Sequence, residues 1–224
     1  MELIRGLHNL RPRHRGCVVT VGAFDGVHRG HQAVIEHLTA KGRELDLPSA
    51  VIVFEPLPRE YFAPLEAPPR LMSFREKFVA LRSLGVDRLL RVRFDERVRS
   101  MSAKAFVEDV FVAGLGARYV VLGDDFRFGN EREGDLEFTR KLGEVHGFEA
   151  MPTSTLALDG ERVSSTRIRQ ALETGDFALA ESLLGRPYSI AGKVIYGRQL
   201  GREMGVPTAN VALNRLRSPL SGVF

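Results

Sequence analysis

Five short apolar runs alternate with segments of helical character, and that alternation restricts the fold more than any other feature of the chain. The runs lie at residues 18–21, 50–54, 88–94, 118–123 and 148–151. Val, Ile, Leu, Phe and Tyr dominate most of them, as expected of strands buried on both faces. Between them stand helix signals. A helix is predicted over 32–42, and Ser73 with Glu76 forms a capping box for a helix closed by Gly85. Ser102 opens a helix ending near Gly114, and another is predicted over 136–147. Helix-length connections suit parallel strands, so the class is α/β: a doubly wound parallel sheet with helices on both faces. Residues 1–16 are basic and read as an irregular lead-in. Further helices start at Ser164-Ser165 and at Asp176, the latter ending at Gly185. Beyond Arg186-Pro187 the pattern becomes strand-like (188–196), glycine-punctuated (197–205) and strand-like again (206–213). A boundary is therefore expected between domains 1–185 and 186–224.

The 224 residues are 44% hydrophobic, enough for a substantial core. The net charge of +4 is spread, with Asp and Glu interleaved among the arginines and no long basic run. A nucleic-acid partner would draw on that excess, but without a basic run a small anionic substrate accounts for it equally well. Cys17, the only cysteine, permits no internal disulfide, which fits a reducing cytoplasm. Residues 1–5 lack the apolar core of a signal peptide, and no run is long enough to span a membrane. The reading is a cytoplasmic protein with neither a membrane nor a nucleic-acid partner.

The chemistry concentrates where the first run turns into the first helix, at Gly22-Ala23-Phe24-Asp25-Gly26-Val27-His28-Arg29-Gly30-His31. Strand, glycine-bearing turn and helix start together aim free N–H groups and the positive end of the helix dipole at an anion. His28 and His31, three apart, would share one face and reach the same space. Two imidazoles there suit a phosphate that gains charge during reaction. Ordinary turn and cap roles are the plainer alternative. A zinc site has no carboxylate or cysteine at supporting spacing. The Lys-Ser/Thr ending of a Walker loop is missing.

Three further groups stand out. Ser164, Ser165 and Thr166, followed by Arg167 and Arg169, exceed what helix capping needs and would suit a polyphosphate. Gly123-Asp124-Asp125-Phe126-Arg127-Phe128-Gly129 offers carboxylates for magnesium or a ring and phenylalanines as an apolar wall, or else a turn that closes the core. In the third, glycines at 197, 201 and 205 precede Thr208 and Asn210, which would point the same way and suit a metal–phosphate pair; a hairpin between two barrel strands fits equally.

With these motifs in this order, the chain closely resembles the bacterial FAD synthetase family, the bifunctional riboflavin kinase/FMN adenylyltransferases. Residues 22–31 are similar to that family's HxGH nucleotidylyltransferase motif and 164–169 to its second nucleotide motif. Residues 123–129 resemble its flavin-side loop, and 205–210 its Pro-Thr-Ala-Asn flavokinase signature. The resemblance implies a Rossmann-like nucleotidylyltransferase sheet followed by the start of a β-barrel flavokinase domain. It implies riboflavin phosphorylation to FMN, and AMP transfer from ATP to FMN giving FAD and pyrophosphate, with Mg2+ accompanying ATP. His28 and His31 would be catalytic. ATP would be held by Gly22, Phe24, Asp25, Gly30, Ser164, Ser165, Thr166 and Arg169. Phe54, Phe62, Asp125, Phe126 and Phe128 would face the flavin. Gly201, Gly205, Thr208 and Asn210 would serve the kinase's Mg-ATP, Thr208 and Asn210 as the metal's ligands. Leu57 stands where relatives often carry His or Gln. The chain ends at residue 224 where the barrel would continue, so the expectation is an adenylyltransferase without kinase activity, cut from a longer natural protein. A sister nucleotidylyltransferase would lack the Pro-Thr-Ala-Asn segment, and an aminoacyl-tRNA synthetase would need a lysine-rich second signature. A non-catalytic binder or an RNA-binding protein would not require the histidine pair.

Overall fold

The computed structural model describes residues 1–153, 155–197, 205–206, 209–213 and 215–221. Six parallel strands form the main sheet: β1 (Glu2–Arg5), β2 (Cys17–Val21), β3 (Ser49–Glu55), β4 (Arg88–Arg93), β5 (Ala117–Gly123) and β6 (Glu149–Thr153), in the order β1-β4-β3-β2-β5-β6. The five runs read from sequence are β2 to β6. The sixth strand corrects the reading of residues 1–16 as irregular: Glu2–Arg5 pairs with Arg88–Arg91 of β4 at the sheet edge. Its four residues alternate too briefly to be told from a loop, and only the partner strand makes them extended.

Val18 faces one apolar cluster while Val19 and Val21 face the other, so β2 is buried on both sides. On one face lie α1 (Arg29–Leu45) and, after α2 (Pro58–Phe62), α3 (Phe74–Ser83), which supply Ile35, Leu38 and Leu81. After α4 (Glu96–Arg99), the other face is covered by α5 (Ala103–Phe106), its π-helical continuation Val107–Gly114, and α6 (Leu136–His146). α1 starts earlier than predicted, because His28 rather than Gln32 stands at its entrance. The short strands β7 (Ala157–Leu158) and β8 (Glu161–Arg162) form a hairpin over the Asp159-Gly160 turn. α7 (Ser165–Glu173) and α8 (Phe177–Leu184) then pack together around Ile168, Leu172, Leu183 and Leu184. Of the strand-like C-terminal stretches, β9 (Lys193–Ile195) and β10 (Asn210–Ala212) are extended and pair antiparallel.

The strand order reverses between β2 and β5: the chain leaves β2 toward β3 and β4, then returns on the other side as β5 and β6. In an open parallel sheet the crevice beyond the strand ends at such a switch point is where ligands bind.

Candidate active site

A cavity of about 910 Å3 opens at this switch point. Val21, Gly22, Phe54, Gly123 and Thr153 line it from the ends of β2, β3, β5 and β6, and His28, Gly30 and His31 from the start of α1. His28 is the N-cap of α1, its Nδ1 accepting from the His31 backbone N–H at 3.3 Å. The capping role and the site role therefore coincide. Because Nδ1 accepts, the neutral ring carries its proton on Nε2, leaving one imidazole N–H as a donor. The two rings stack with centroids 3.6 Å apart. A side chain at Gly30 would place its Cβ 3.2 Å from the His28 ring, a contact tight enough that the ring would have to give way. Burial, with Arg162, Arg186 and Arg169 nearby, pushes His28 down to about 4. His31 is held well below the usual histidine range by burial, then by His28, Lys77 and Arg162. Both rings are thus neutral at pH 7. The His31 Nδ1 is screened from water and has no hydrogen-bond partner among the described residues.

Asp25 is only 3% exposed, and its carboxylate serves as a clamp. It accepts from the backbone N–H groups of Leu71 and Met72 at 3.1 Å and from Arg169 at 2.6 Å. The Ser165 hydroxyl donates to the Asp25 carbonyl at 2.9 Å. These bonds tie the glycine turn to α7 across 140 residues of sequence. Ser164 caps α7, while Ser165, Thr166 and Arg169 line the cavity beside it. Arg167 turns away to the Leu158 carbonyl and Glu161.

At the far end, Phe54, Phe62, Phe126 and Phe128 line the cavity, with Phe62 60% exposed and Phe128 buried against Phe106 and Phe111. Phe128 thus fits both readings of its loop, wall and core closure. Asp125 pairs with Arg162 through two contacts of 2.9 Å, and Asp124 accepts from Thr155 at 2.8 Å.

One expected site residue falls elsewhere. Phe24, read as an ATP contact, does not line the cavity; its ring is buried beneath the turn, 5.0 Å from the His31 ring centroid. The turn reverses there with a positive φ of 47° at Phe24, which sends the ring into the core. Gly201 and Thr208 lie outside the described residues. Gly205 has a φ of +78°, and Asn210 opens β10 opposite Ile195, beside Gly197.

Sequence reasoning missed a buried ionic network behind the site. Lys77, 1% exposed, lies 3.7 Å from Glu55, which also pairs with Arg70 at 2.8 Å; Arg70 in turn pairs with Glu60. Burial lowers Lys77, countered in part by Glu55 and Asp25. The one available signal was position: Lys77 is in phase with Leu81 on the buried face of α3. Arg162, Arg186 and Arg215 carried no signal, because their partners are backbone carbonyls or distant carboxylates.

The family model for FAD synthetase matches residues 10–167, well over half of the chain. The chain belongs to the FAD synthetase family. A second model, riboflavin kinase, matches residues 184–224. The bifunctional riboflavin kinase/FMN adenylyltransferase of Pseudomonas fluorescens is 53% identical over the whole of this chain, and that of Escherichia coli K12 is 49% identical. In both cases this chain spans 72% of the relative's length. Among solved structures, one described as a macrolide-efflux protein from Streptococcus pneumoniae superposes with a TM-score of 0.78 at 29% identity, covering 96% of this chain and 70% of that one. No helix among the described residues is long and apolar enough to cross a membrane.

Proposed function

We propose that this FAD synthetase family member transfers AMP from ATP to FMN, releasing pyrophosphate. The observation that carries this reading is the stacked, neutral His28–His31 pair at the helix N-terminus of a switch-point cavity large enough for a nucleotide and a flavin together. An oxygen of the FMN phosphate attacks the ATP α-phosphorus in line. A phosphorus–oxygen bond forms there as the bond to the β-phosphate oxygen breaks, and no covalent enzyme intermediate is required. The His28 Nε2–H and the His31 ring donate to the negative charge that gathers on the α-phosphate and the departing pyrophosphate. Bound polyphosphate raises both imidazole pKa values, so protonated rings become accessible where charge is greatest. Gly22 and Gly30 let the backbone approach the phosphates, while Ser165, Thr166 and Arg169 hold them from the α7 side and Ser164 orders that helix start. Asp25 acts by aiming Arg169. Phe54, Phe62, Phe126 and Phe128 offer aromatic faces to the isoalloxazine ring, with Asp125 at its polar edge.

Among the described residues no group of three or more His, Cys, Asp or Glu side chains is gathered to hold an ion. Magnesium would therefore arrive on the ATP phosphates, shared with the hydroxyls of 164–166, and would supply charge neutralisation. In the same reading the unit boundary falls between 185 and 186. Gly201, Gly205, Thr208 and Asn210 then belong to the Mg-ATP loop of a riboflavin kinase unit, Thr208 and Asn210 nearest the metal. Cytoplasm, where ATP and FMN are available, is the proposed setting.

The test is incubation with magnesium–ATP and FMN, with flavins separated by chromatography. FAD should form, and His31→Ala should lower turnover about tenfold to thousandfold, the scale for a charge-stabilising donor. A folded sample that forms no FAD would sink the reading; unchanged turnover in His31→Ala would sink the histidine roles.

A further inference from the structure

The turn that presents the histidines is held in a conformation its own residues disfavour. Phe24, Gly26 and Val27 have φ values of 47°, 83° and 41°. Glycine accepts this freely, but an aromatic and a β-branched residue do not, and such strain persists only where neighbours over-determine it. Among the described residues, the carbonyls of Gly26 and Val27 accept no backbone N–H; side chains hold them instead. Arg186 Nη2 donates to the Gly26 carbonyl at 2.6 Å and Nη1 to the Val27 carbonyl at 3.1 Å. Gln32 adds a bond to the Val27 carbonyl at 2.9 Å and ties it to the Leu184 carbonyl at 2.8 Å. Arg186 makes no ion pair among the described residues, so its fork is given wholly to carbonyl oxygens, with Met72 Sδ at 3.9 Å. The next residue after the gripped turn is His28. Arg186 itself lies outside residues 10–167, in the segment that the riboflavin kinase model matches.

We propose that Arg186 is a positioning residue for adenylyl transfer: supplied from the riboflavin kinase segment, its guanidinium fixes the Gly26–Val27 turn and with it the aim of His28 and His31. The proposal rests on the FMN adenylylation reading above. A planar fork is needed because two carbonyls on consecutive residues must be held at once, which a lysine ammonium on a flexible stem does not do. The mechanism acts through distance, since displacing a donor by about 1 Å costs about 100-fold in rate. It also gives the second segment a direct grip on the first segment's chemistry.

The experiment compares this chain with Arg186→Lys and Arg186→Gln. It reads FMN adenylylation kinetics, thermal melting and hydrogen exchange of residues 24–31. Both variants should stay folded at the assay temperature and lose about tenfold to hundredfold in kcat. KM for FMN should shift less than about threefold, because the aromatic end is untouched. Lysine should fail to rescue, and exchange should quicken in residues 24–31 alone. A kcat within about twofold of the parent in either folded variant overturns the proposal, as does unchanged exchange. Unfolding of both variants also overturns it, because Arg186 would then hold the fold as a whole. If the parent forms no FAD, the functional reading fails, and exchange alone decides whether Arg186 fixes the turn.

Discussion

At one end of the cavity the imidazoles of His28 and His31 lie stacked against a glycine-bearing helix start, His28 buried and His31 half-buried. At the other, Asp125 and Arg162 pair across the surface with 68% and 50% of their side chains exposed. The first end is built on β2 and the N-terminus of a 17-residue helix, the second on the loop after β5 and a two-residue strand. Charges and dipoles act strongly where water is excluded and weakly where it is not. On the proposed function, charge stabilisation belongs to the histidine end and adaptable contact area to the aromatic end, even though both line one space.

The sharpest way to break this contrast is Asp25→Ala, which leaves Arg169 buried without its partner and two backbone N–H groups unpaired. Removing one member of a buried pair costs about 3–5 kcal/mol, and urea denaturation at pH 7 should show a loss of that size. A loss under about 1 kcal/mol would mean the histidine end is no more tightly built than the other.

The pH dependence is next in size. His28 titrates near 4 in the folded protein against an ordinary 6.5, so between those values the unfolded chain binds a proton the native state refuses. Stability is therefore lost as pH falls from about 6.5 to 4, by up to about 3 kcal/mol from this residue, with His31 shifted in the same direction. His28→Asn preserves a good N-cap and removes the titration. Its melting temperature at pH 7 should stay close to the parent's, and its decline toward pH 4 should be visibly shallower. An unaltered slope would show that desolvation of His28 does not define this end.

The smallest effect belongs to Asp125→Asn. An exposed ion pair contributes about 0–1 kcal/mol, so melting should barely move, while KM for FMN rises a few-fold and kcat holds. A stability loss above about 2 kcal/mol would erase the distinction between the two ends.

The legible part of this molecule was what repeats locally. Val18 with Val19, Ser73 with Glu76, and Gly22 with His28 and His31 carry their roles within one strand, one helical turn or one loop, so five strands, the capped helices and the histidine pair were readable. Local reading failed where an identity depends on a distant partner. Glu2–Arg5 is a strand only because β4 lies beside it. Phe24 looks like a cavity residue until the reversed turn sends its ring inward.

The sequence by itself determined the fold class, the family and the place of the glycine-bearing turn at the cavity, because periodicity, capping and glycine spacing are short-range and survive without a partner. Tertiary structure alone decided that Asp25 ties Leu71, Met72 and Arg169 to the turn, that Lys77 is buried among carboxylates, and that Arg186 grips Gly26 and Val27 from 160 residues away. Those roles follow from desolvation and hydrogen-bond geometry, which exist only once the distant segments have met.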